Sequence, residues 1–563
     1  MSAMPGYRDF RPTLRFQQTF QQSLSFSPDG SLVAYADDAA GQFNATVQPV
    51  ADGPPRRLTR YTDRTVRQVG WHPDGRSLVF AADHQGDENT QLYRVGVDGG
   101  EPEPLTAAPT TKHLLPFGGP YSPDGRRLAY VANDRDPGDQ DVLVRDPATG
   151  TVRRRLTCGG RTYAGYWSPD GSGFLVASNA GREFHGLAVL GLDGTLTWLD
   201  TPDWNVEQMA LSADGRVLLW MVNVAGDDQL RGRDLVTGAD LPVPALPPGE
   251  TSMLEVSVDG RRAVMLQTTA VRPWNVVVVD LVAGGLRQLT GAVPIAADPA
   301  GFRAPTPVRY PSRDGHQIPA YLYRPDSTTG PAPVVLSIHG GPVFQERQSY
   351  VHDGLYQYLL SHGIGVLAPN IRGSAGYGKS YTQRQYRDWG GGDLRDLADA
   401  VAYLRGLDWV DPARIGLYGA SYGGFAVLSC VARLPELGWA AAVEQCGMSN
   451  LVTLARSAPP SWRSLIRTVI GDPDTDAEFL LSRSPISYVD QIRAPLFVIQ
   501  GANDPRVPPA ESEQIVARLR ARGVEVRYDL YPDEGHNFNR VDNQIRAKSE
   551  AAEFLVRHLT AGS

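Results

Sequence analysis

Cysteine is scarce in this sequence, with only Cys158, Cys430 and Cys446 among 563 residues. The three are far apart and form no C-x-x-C pair, so we expect neither a disulfide framework nor a cysteine-based zinc site. The H-E-x-x-H pattern of zinc hydrolases is also missing. The glycine-rich stretch 373–378 follows Asn370-Ile-Arg372, and we do not interpret it as a nucleotide-binding loop. These absences predict an enzyme without metal or cofactor, if it is an enzyme, and a reducing, cytoplasmic environment.

Long apolar runs are missing too. Residues 1–16 carry three arginines and no continuous apolar stretch, which argues against a signal peptide, and no other stretch is long enough to span a bilayer. The formal net charge of -8 gives no reason to expect nucleic acid or an anionic membrane as a partner. The short arginine clusters, such as Arg153, Arg154 and Arg155, are interpreted as solvated strand ends or turns.

A turn motif repeats through the first half of the chain. Its four clear copies have Pro-Asp-Gly centred on Asp29, Asp74, Asp124 and Asp170, and two weaker copies have Ala213-Asp-Gly215 and Val258-Asp-Gly260. The steps between successive aspartates are 45, 50, 46, 44 and 45 residues. Each copy predicts a tight turn between two strands, and four short strands in such a period are typical of a propeller blade. Six copies predict six blades. A seven-bladed propeller is an open alternative, because one blade could lack the motif or be completed by the N-terminal segment. A β-sandwich or a solenoid is the alternative.

The pattern changes around residues 291–311, which form a proline-rich connection. Beyond it, apolar strand-like runs alternate with helical patterns, which is typical of a doubly wound, mostly parallel sheet. We therefore predict an N-terminal segment at residues 1–20 that could pack on the second domain, a β-propeller at 21–295, a linker at 296–310 and an α/β catalytic domain at 311–563.

A candidate nucleophile lies in Gly419-Ala420-Ser421-Tyr422-Gly423. This pentapeptide follows a predicted strand and precedes a helical run, so its glycines let the chain turn sharply and leave Ser421 exposed. Another glycine-rich turn, His339-Gly-Gly-Pro342, also follows a predicted strand. It can present a backbone N–H to a substrate oxyanion beside the N–H of Tyr422, although a plain strand-to-helix turn is the alternative.

An acid and a base follow the candidate nucleophile. Asp504 comes where a predicted strand ends, and His536 lies in the loop after the next one. The order serine, acid, histidine is the one that this sheet topology uses. The histidine can take the serine proton, while the carboxylate holds its tautomer and stabilises the imidazolium.

Other residues could fill these two roles. The rival acids are weaker candidates, because Asp529 lies within a predicted strand and Asp533 is too close in sequence to orient His536. The remaining histidines of this half that we considered are interpreted as surface or packing residues: His339, His352, His362 and His558.

Five phrases of the second half resemble the prolyl oligopeptidase family of serine peptidases, especially its acylaminoacyl-peptidase-like branch. They are His339-Gly-Gly-Pro342, Ala368-Pro-Asn-Ile-Arg-Gly-Ser-Ala-Gly-Tyr-Gly378, Gly419-Ala-Ser-Tyr-Gly-Gly424, Asp504-Pro-Arg-Val-Pro508 and Gly535-His-Asn-Phe538. The resemblance implies a β-propeller that caps an α/β-hydrolase domain, with the active site in the cavity between them. Matched by motif, it implies Ser421 as nucleophile, Asp504 as acid, His536 as base, and the N–H groups of Gly341 and Tyr422 as the oxyanion hole.

The resemblance also bears on the substrate. Arg506 matches an arginine that holds a substrate carbonyl on the acyl side of the scissile bond, although a structural role is the alternative. The family's dipeptidyl peptidases hold a free substrate amine with adjacent propeller glutamates, and this sequence contains no Glu-Glu pair. We therefore predict a peptidase that acts on short peptides and prefers those with a blocked N-terminus or those longer than a dipeptide. Homo-oligomerisation is left open. An esterase or small-molecule amidase, or a non-catalytic binding propeller, are the rival functions.

Overall fold

The computed structural model has small antiparallel sheets in the first half of the chain and one large sheet in the second. It describes residues 5–561 except 19–21, 117–118, 123, 137–140, 157–165, 167, 169–172, 192 and 327–329. Cys158 and the turn at Asp170 lie outside the described residues.

Six small sheets are present in the described part of the first half, and in each of them consecutive strands pair in chain order. The first contains β1 (Leu24–Phe26), β2 (Leu32–Asp37), β3 (Asn44–Pro49) and β4 (Arg56–Arg57). The second contains β5 (Arg64–Trp71), β6 (Ser77–His84), β7 (Gln91–Gly96) and β8 (Glu103–Pro104), and the third contains β9 (His113–Leu114), β10 (Leu128–Ala132), β11 (Asp141–Arg145) and β12 (Val152–Leu156). The fourth contains β13 (Gly173–Ser178), β14 (Gly186–Gly191) and β15 (Leu196–Asp200), and the fifth contains β16 (Asn205–Leu211), β17 (Val217–Val224) and β18 (Asp227–Asp234). The sixth contains β19 (Glu250–Val256), β20 (Arg262–Thr269), β21 (Arg272–Asp280) and β22 (Gly285–Gln288).

The repeated turn motif connects the first two strands of a sheet. In the first sheet, the Ser27 hydroxyl donates to the Asp29 carboxylate at 2.6 Å, and Gly30 takes a φ of +68° that only glycine adopts freely. The sixth sheet repeats this arrangement, with Ser257 donating to Asp259 at 2.6 Å. The hydrogen bonds within the motif therefore explain why each copy of the repeat forms the same turn, and why one sheet follows another at the spacing of the repeats.

The first and the sixth sheets contact each other. Ser25 donates to the Glu255 carboxylate at 3.2 Å, and the Gln48 amide donates to the carbonyl of Leu289 at 3.3 Å. Apolar side chains from both sheets, among them Phe26 and Val264, share one hydrophobic cluster. Contact between the first and last sheets is typical of a closed β-propeller, not of an open sandwich or solenoid.

The second half forms an eight-stranded sheet in the order β23-β24-β26-β25-β27-β28-β29-β30. Its strands are β23 (Thr306–Pro311), β24 (Gln317–Tyr323), β25 (Ala332–Ile338), β26 (Gly365–Pro369), β27 (Val410–Ala420), β28 (Ala441–Gln445), β29 (Leu496–Gly501) and β30 (Val526–Tyr531). The first two strands pair antiparallel and the other six run parallel to one another. The mostly parallel, doubly wound sheet that the sequence predicts is confirmed.

Helices cover both faces of this sheet. The α-helices are α1 (Tyr7–Phe10), α2 (Leu355–Ser361), α3 (Lys379–Gln383), α4 (Gly392–Arg405), α5 (Tyr422–Arg433), α6 (Leu451–Ser457), α7 (Arg463–Val469), α8 (Ala477–Arg483), α9 (Pro509–Ala521) and α10 (Val541–Thr560). Short 3₁₀ segments lie at Pro299–Gly301, Val351–Gly354, Pro435–Leu437, Pro460–Trp462 and Pro485–Gln491. All seven residues of β25 are buried, because both faces of the sheet are covered.

The N-terminal segment contacts both halves of the protein. Tyr7 and Phe10 of α1 pack in the hydrophobic cluster that includes residues of α2 and α10. Farther along, Phe16 packs edge-on against Tyr35 of β2, with ring centroids 5.4 Å apart. In the part of the chain that the structure describes, no helix combines the length and the hydrophobicity that a bilayer crossing requires.

Candidate active site

Ser421 occupies a sharp turn between β27 and α5. Its φ of 58° and ψ of -121° are strained values for a residue with a side chain, and such strain costs about 1–3 kcal/mol. A Cβ on Gly419 would lie 2.4 Å from the carbonyl oxygen of Gly423, and one on Gly423 would lie 2.1 Å from that of Ile338. Both positions therefore require glycine, and the turn presents the Ser421 side chain at the end of the sheet.

His536 connects Ser421 to Asp504. Its Nε2 lies 3.1 Å from the Ser421 hydroxyl, and its Nδ1 lies 2.7 Å from a carboxylate oxygen of Asp504. The other Asp504 oxygen accepts the backbone N–H groups of Arg506 and Val507 at 2.8 and 2.9 Å. This carboxylate is fixed in place, so Nδ1 donates to it and Nε2 is left to accept the proton of the serine.

Burial and charge act in opposite directions on His536, whose exposed fraction is 8%. Burial disfavours the imidazolium, but the neighbouring Cys446 and Asp504 outweigh that effect and raise the pKa of His536 above its ordinary value. The surroundings therefore stabilise the charged ring that forms when it takes a proton.

Sheet topology explains how these distant residues meet. Ser421 directly follows β27, Asp504 comes three residues after β29, and His536 comes five residues after β30. These strands are parallel, so their carboxyl ends lie at the same edge of the sheet.

The glycine turn after β25 lies against Ser421. A Cβ on Gly340 would be 3.6 Å from the Cβ of Ser421, and Gly341 has a φ of +115°. Within the described part of the chain, neither the N–H of Gly341 nor that of Tyr422 donates a hydrogen bond. Two backbone donors next to the serine are therefore free for an oxyanion, and Tyr422 is the first residue of α5, where the helix dipole favours negative charge.

Buried side-chain hydrogen bonds fix the two turns that carry the N–H groups of Gly341 and Tyr422. The buried Tyr422 hydroxyl donates to Asp393 at 2.6 Å, and Asp393 also accepts the backbone N–H of Gly390 at 2.9 Å. His339 lies 2.8 Å from the Ser374 hydroxyl and is neutral, because burial lowers its pKa to about 4. The sequence predicts His339 as a surface or packing residue, and it gives no signal for Asp393, which carries no motif of its own.

Arg506 forms an ion pair with a propeller residue. Its Nε and Nη2 donate to the same oxygen of Glu88 at 2.8 and 2.7 Å, and its guanidinium lies 5.9 Å from the ring centre of Trp462. Burial would raise the pKa of Glu88, but Arg506, together with nearby Lys112 and Arg67, lowers it to about 2. Glu88 carries no sequence signal for this contact, since it lies 418 residues from Arg506, in the other half of the chain.

The propeller also touches the loops that carry Asp504 and His536. Gly86 packs so closely on Gly535 that a Cβ on Gly86 would lie 2.7 Å from the Gly535 nitrogen. The Asn503 amide donates to the carbonyl of Gln85 at 3.3 Å. One propeller turn, between β6 and β7, therefore contacts the loops that carry Asp504 and His536.

A cavity of about 790 Å³ opens onto Ser421 and His536. It lies between the two halves and is lined by Phe43 and Trp274 of the propeller side as well as by the glycine turn. One wall is apolar and comes from the segment after β28: Met448, Leu454, Trp462, Leu465, Ile466 and Val469.

Among the described residues, three carboxylate side chains line this cavity, and none of them is a fully charged, unpaired anion at neutral pH. Asp353 forms an ion pair with Arg15 at 3.0 Å. Burial raises the pKa of Glu250 to about 7 and that of Glu346 to about 8. At neutral pH, Glu346 is therefore protonated and Glu250 only partly charged.

Comparisons with known proteins agree with this geometry. Residues 352–562 match the model of the prolyl oligopeptidase family. The chain is 31% identical to dipeptidyl aminopeptidase BIII of Pseudoxanthomonas mexicana, over 95% of this chain and 86% of that protein. A puromycin-hydrolyzing peptidase of Mycobacterium tuberculosis superposes with a TM-score of 0.77 at 22% identity, over 99% of this chain and 96% of the other. An acylaminoacyl peptidase of Pyrococcus horikoshii gives a TM-score of 0.69 at 20% identity, over 96% and 89%. The likeness in fold thus extends over both halves.

Proposed function

This chain belongs to the prolyl oligopeptidase family of serine peptidases, and from that premise we propose that Ser421, Asp504 and His536 are its catalytic triad. The observation that carries the proposal is the pair of contacts made by His536, 3.1 Å to the serine hydroxyl and 2.7 Å to the carboxylate. Both distances are within the reach needed for proton transfer and for orienting the base.

The mechanism follows from the positions of these groups. A substrate carbonyl docks on the N–H groups of Gly341 and Tyr422, and Ser421 attacks its carbon while His536 takes the hydroxyl proton. The tetrahedral intermediate collapses, the C–N bond breaks, and His536 gives that proton to the leaving amine. Water then hydrolyses the acyl-enzyme by the same steps. Each oxyanion donor contributes about 3 kcal/mol to transition-state stabilisation.

The size and charge of the cavity favour a short peptide as substrate, with no charged amine on the acyl side of the scissile bond. A volume of about 790 Å³ is within the usual range for small-ligand sites and too small for a folded protein. Among its lining carboxylates, Asp353 is paired with Arg15, Glu346 is largely protonated and Glu250 is only partly charged, so a free substrate ammonium meets no fully charged, unpaired carboxylate there. Arg506 also lines the cavity and can donate to a substrate carbonyl, and the apolar wall favours a large apolar residue at the scissile bond. We therefore favour acylaminoacyl-peptidase or oligopeptidase activity.

A dipeptidyl aminopeptidase mode is the second candidate, and the similarity to dipeptidyl aminopeptidase BIII over nearly the whole chain favours it. Matched substrates separate the two. We expect N-acetyl-Ala-Phe-anilide to be cleaved with a higher kcat/KM than Ala-Phe-anilide, and the reverse order would favour the dipeptidyl mode. A simple acyl ester with the same acyl group tests the esterase alternative, because a peptidase gains from the extended peptide.

We also propose that the propeller has six blades, each formed by one small sheet, and that it gates access to the cavity. The proposed division is an N-terminal segment at 1–20, the propeller at 21–295, a linker at 296–305 and the α/β-hydrolase domain at 306–563. The hydrolase domain begins five residues before the sequence-based boundary, because β23 (Thr306–Pro311) pairs with β24 in the large sheet. Limited proteolysis tests the division, since cleavage should begin near residues 296–305, which precede β23.

Ser421→Ala tests the triad directly. We expect it to abolish peptide turnover and labelling by a fluorophosphonate, whereas Ser482→Ala, on an exposed face of α8, should keep both. Wild-type turnover by Ser421→Ala, or a label attached to another serine, would end the assignment.

A further inference from the structure

Cys446 lies beside the proposed triad, and the peptidase mechanism uses it neither as nucleophile nor as base. It directly follows β28, takes a φ of +45°, and is 2% exposed. Its sulfur lies 3.9 Å from the carbonyl oxygen of His536. It lines the same cavity as Ser421, so a small ion that enters the cavity can reach it.

Three potential metal ligands converge at this point. The Cys446 sulfur, a ring nitrogen of His536 and a carboxylate oxygen of Asp504 all lie within 4.8 Å of one another, and all three residues are buried. They come from loops after three parallel strands, β28, β29 and β30. Thiolate, imidazole and carboxylate are the ligands that zinc uses, with bonds of about 2.0–2.3 Å, so small side-chain shifts bring the three within bonding distance of one ion.

We propose that Cys446, His536 and Asp504 form an inhibitory site for a thiophilic divalent cation such as Zn²⁺. This inference rests on the proposed triad, because two of the ligands belong to it. On binding, the Cys446 thiol releases its proton to solvent and the sulfur bonds to the metal. A ring nitrogen of His536 donates its lone pair to the ion; if that nitrogen is Nδ1, its proton moves through solvent to Nε2, so the ring stays neutral. A water completes the coordination.

Metal binding stops catalysis for a simple reason. If Nε2 is the ligand, it can no longer accept the Ser421 proton; if Nδ1 is the ligand, its hydrogen bond to Asp504 is lost. The site discriminates by ligand type, since Mg²⁺ and Ca²⁺ prefer sites made only of oxygen. The bound ion is thus a reversible inhibitor and not a cofactor.

Steady-state inhibition by ZnCl₂ in chelator-free buffer tests the site. We expect inhibition of the wild type that EDTA reverses and that Mg²⁺ does not reproduce. In Cys446→Ala, measured against its own uninhibited rate, the zinc Ki should rise at least about tenfold, as expected when support for a metal is removed. The control is Cys430→Ala, because Cys430 is buried in α5 and should leave the Ki unchanged.

A Co²⁺ titration provides a readout that needs no turnover. In the Ser421→Ala background, Co²⁺ should produce a thiolate-to-metal absorption band that is lost when Cys446→Ala is added. An unchanged zinc Ki in Cys446→Ala, the absence of zinc inhibition in the wild type up to millimolar concentration, or a cobalt band that survives the loss of Cys446 would each overturn the proposal. Failure of the triad itself is recognised separately, by the absence of fluorophosphonate labelling at Ser421.

Discussion

The contact between Gly86 of the propeller and Gly535 of the histidine loop predicts that a propeller substitution impairs catalysis. Gly86→Ala places a Cβ 2.7 Å from the Gly535 nitrogen, where ordinary contact begins at 3.4 Å. The two loops must therefore separate by about 0.7 Å, and Gly535 directly precedes His536. The substitution leaves every residue of the hydrolase half unchanged.

The expected loss follows from the distance between base and nucleophile. His536 lies 3.1 Å from the Ser421 hydroxyl, close to the upper end of the useful range of about 2.6–3.2 Å. A displacement of comparable size takes it out of that range, and a misplacement of about 1 Å costs on the order of 100-fold. We expect kcat on an acylated peptide anilide to fall by about 10- to 100-fold.

A matched control separates this effect from backbone strain. Gly86 has a φ of +80°, and Gly194, in a propeller turn where an added Cβ would meet no atom within 4 Å, has a φ of +86°. Both alanine variants lose about 1–2 kcal/mol of stability through the positive φ, which thermal unfolding measures. Only Gly86→Ala should lose kcat. Equal kcat values for the two variants and the wild type would refute the coupling that we infer.

Three further substitutions test the site. Asp504→Asn should lower kcat by about 10⁴-fold, because an asparagine cannot hold the His536 tautomer, and a loss under tenfold in single-turnover kinetics contradicts this role. Glu88→Gln should raise KM for acylated peptides several-fold with a smaller change in kcat, since Arg506 loses its charged partner; an effect on kcat alone speaks against it. Burial raises the pKa of Glu346 from 4.5 to about 8, so the wild type loses a few kcal/mol of stability as pH rises through that window. Glu346→Gln should therefore raise the melting temperature at pH 8 and not at pH 4, and equal shifts at both pH values rule the explanation out.

Much of the candidate site could be predicted because its signals are local. The turn around Ser421 is only a few residues long and requires glycine on both sides. Asp504 and His536 each follow a strand that the apolar pattern of the sequence predicts. Parallel strands bring their carboxyl ends to one edge, so chain order alone suggested that the three side chains meet. The turn chemistry of Ser27 and Asp29 is equally local, which is why the repeats indicated a propeller.

The amino-acid sequence by itself determined the two architectures, the sharp turn at Ser421 and the chain order of the proposed triad, since each depends on short-range backbone chemistry and strand periodicity. Only the tertiary structure decided the neighbours that come from far along the chain: Glu88 against Arg506, Gly86 against Gly535, and Cys446 against His536. These contacts depend on how the propeller sits on the α/β domain and how three loops fold over one sheet edge. Such placements arise from the packing of whole domains, and no spacing in the sequence records them.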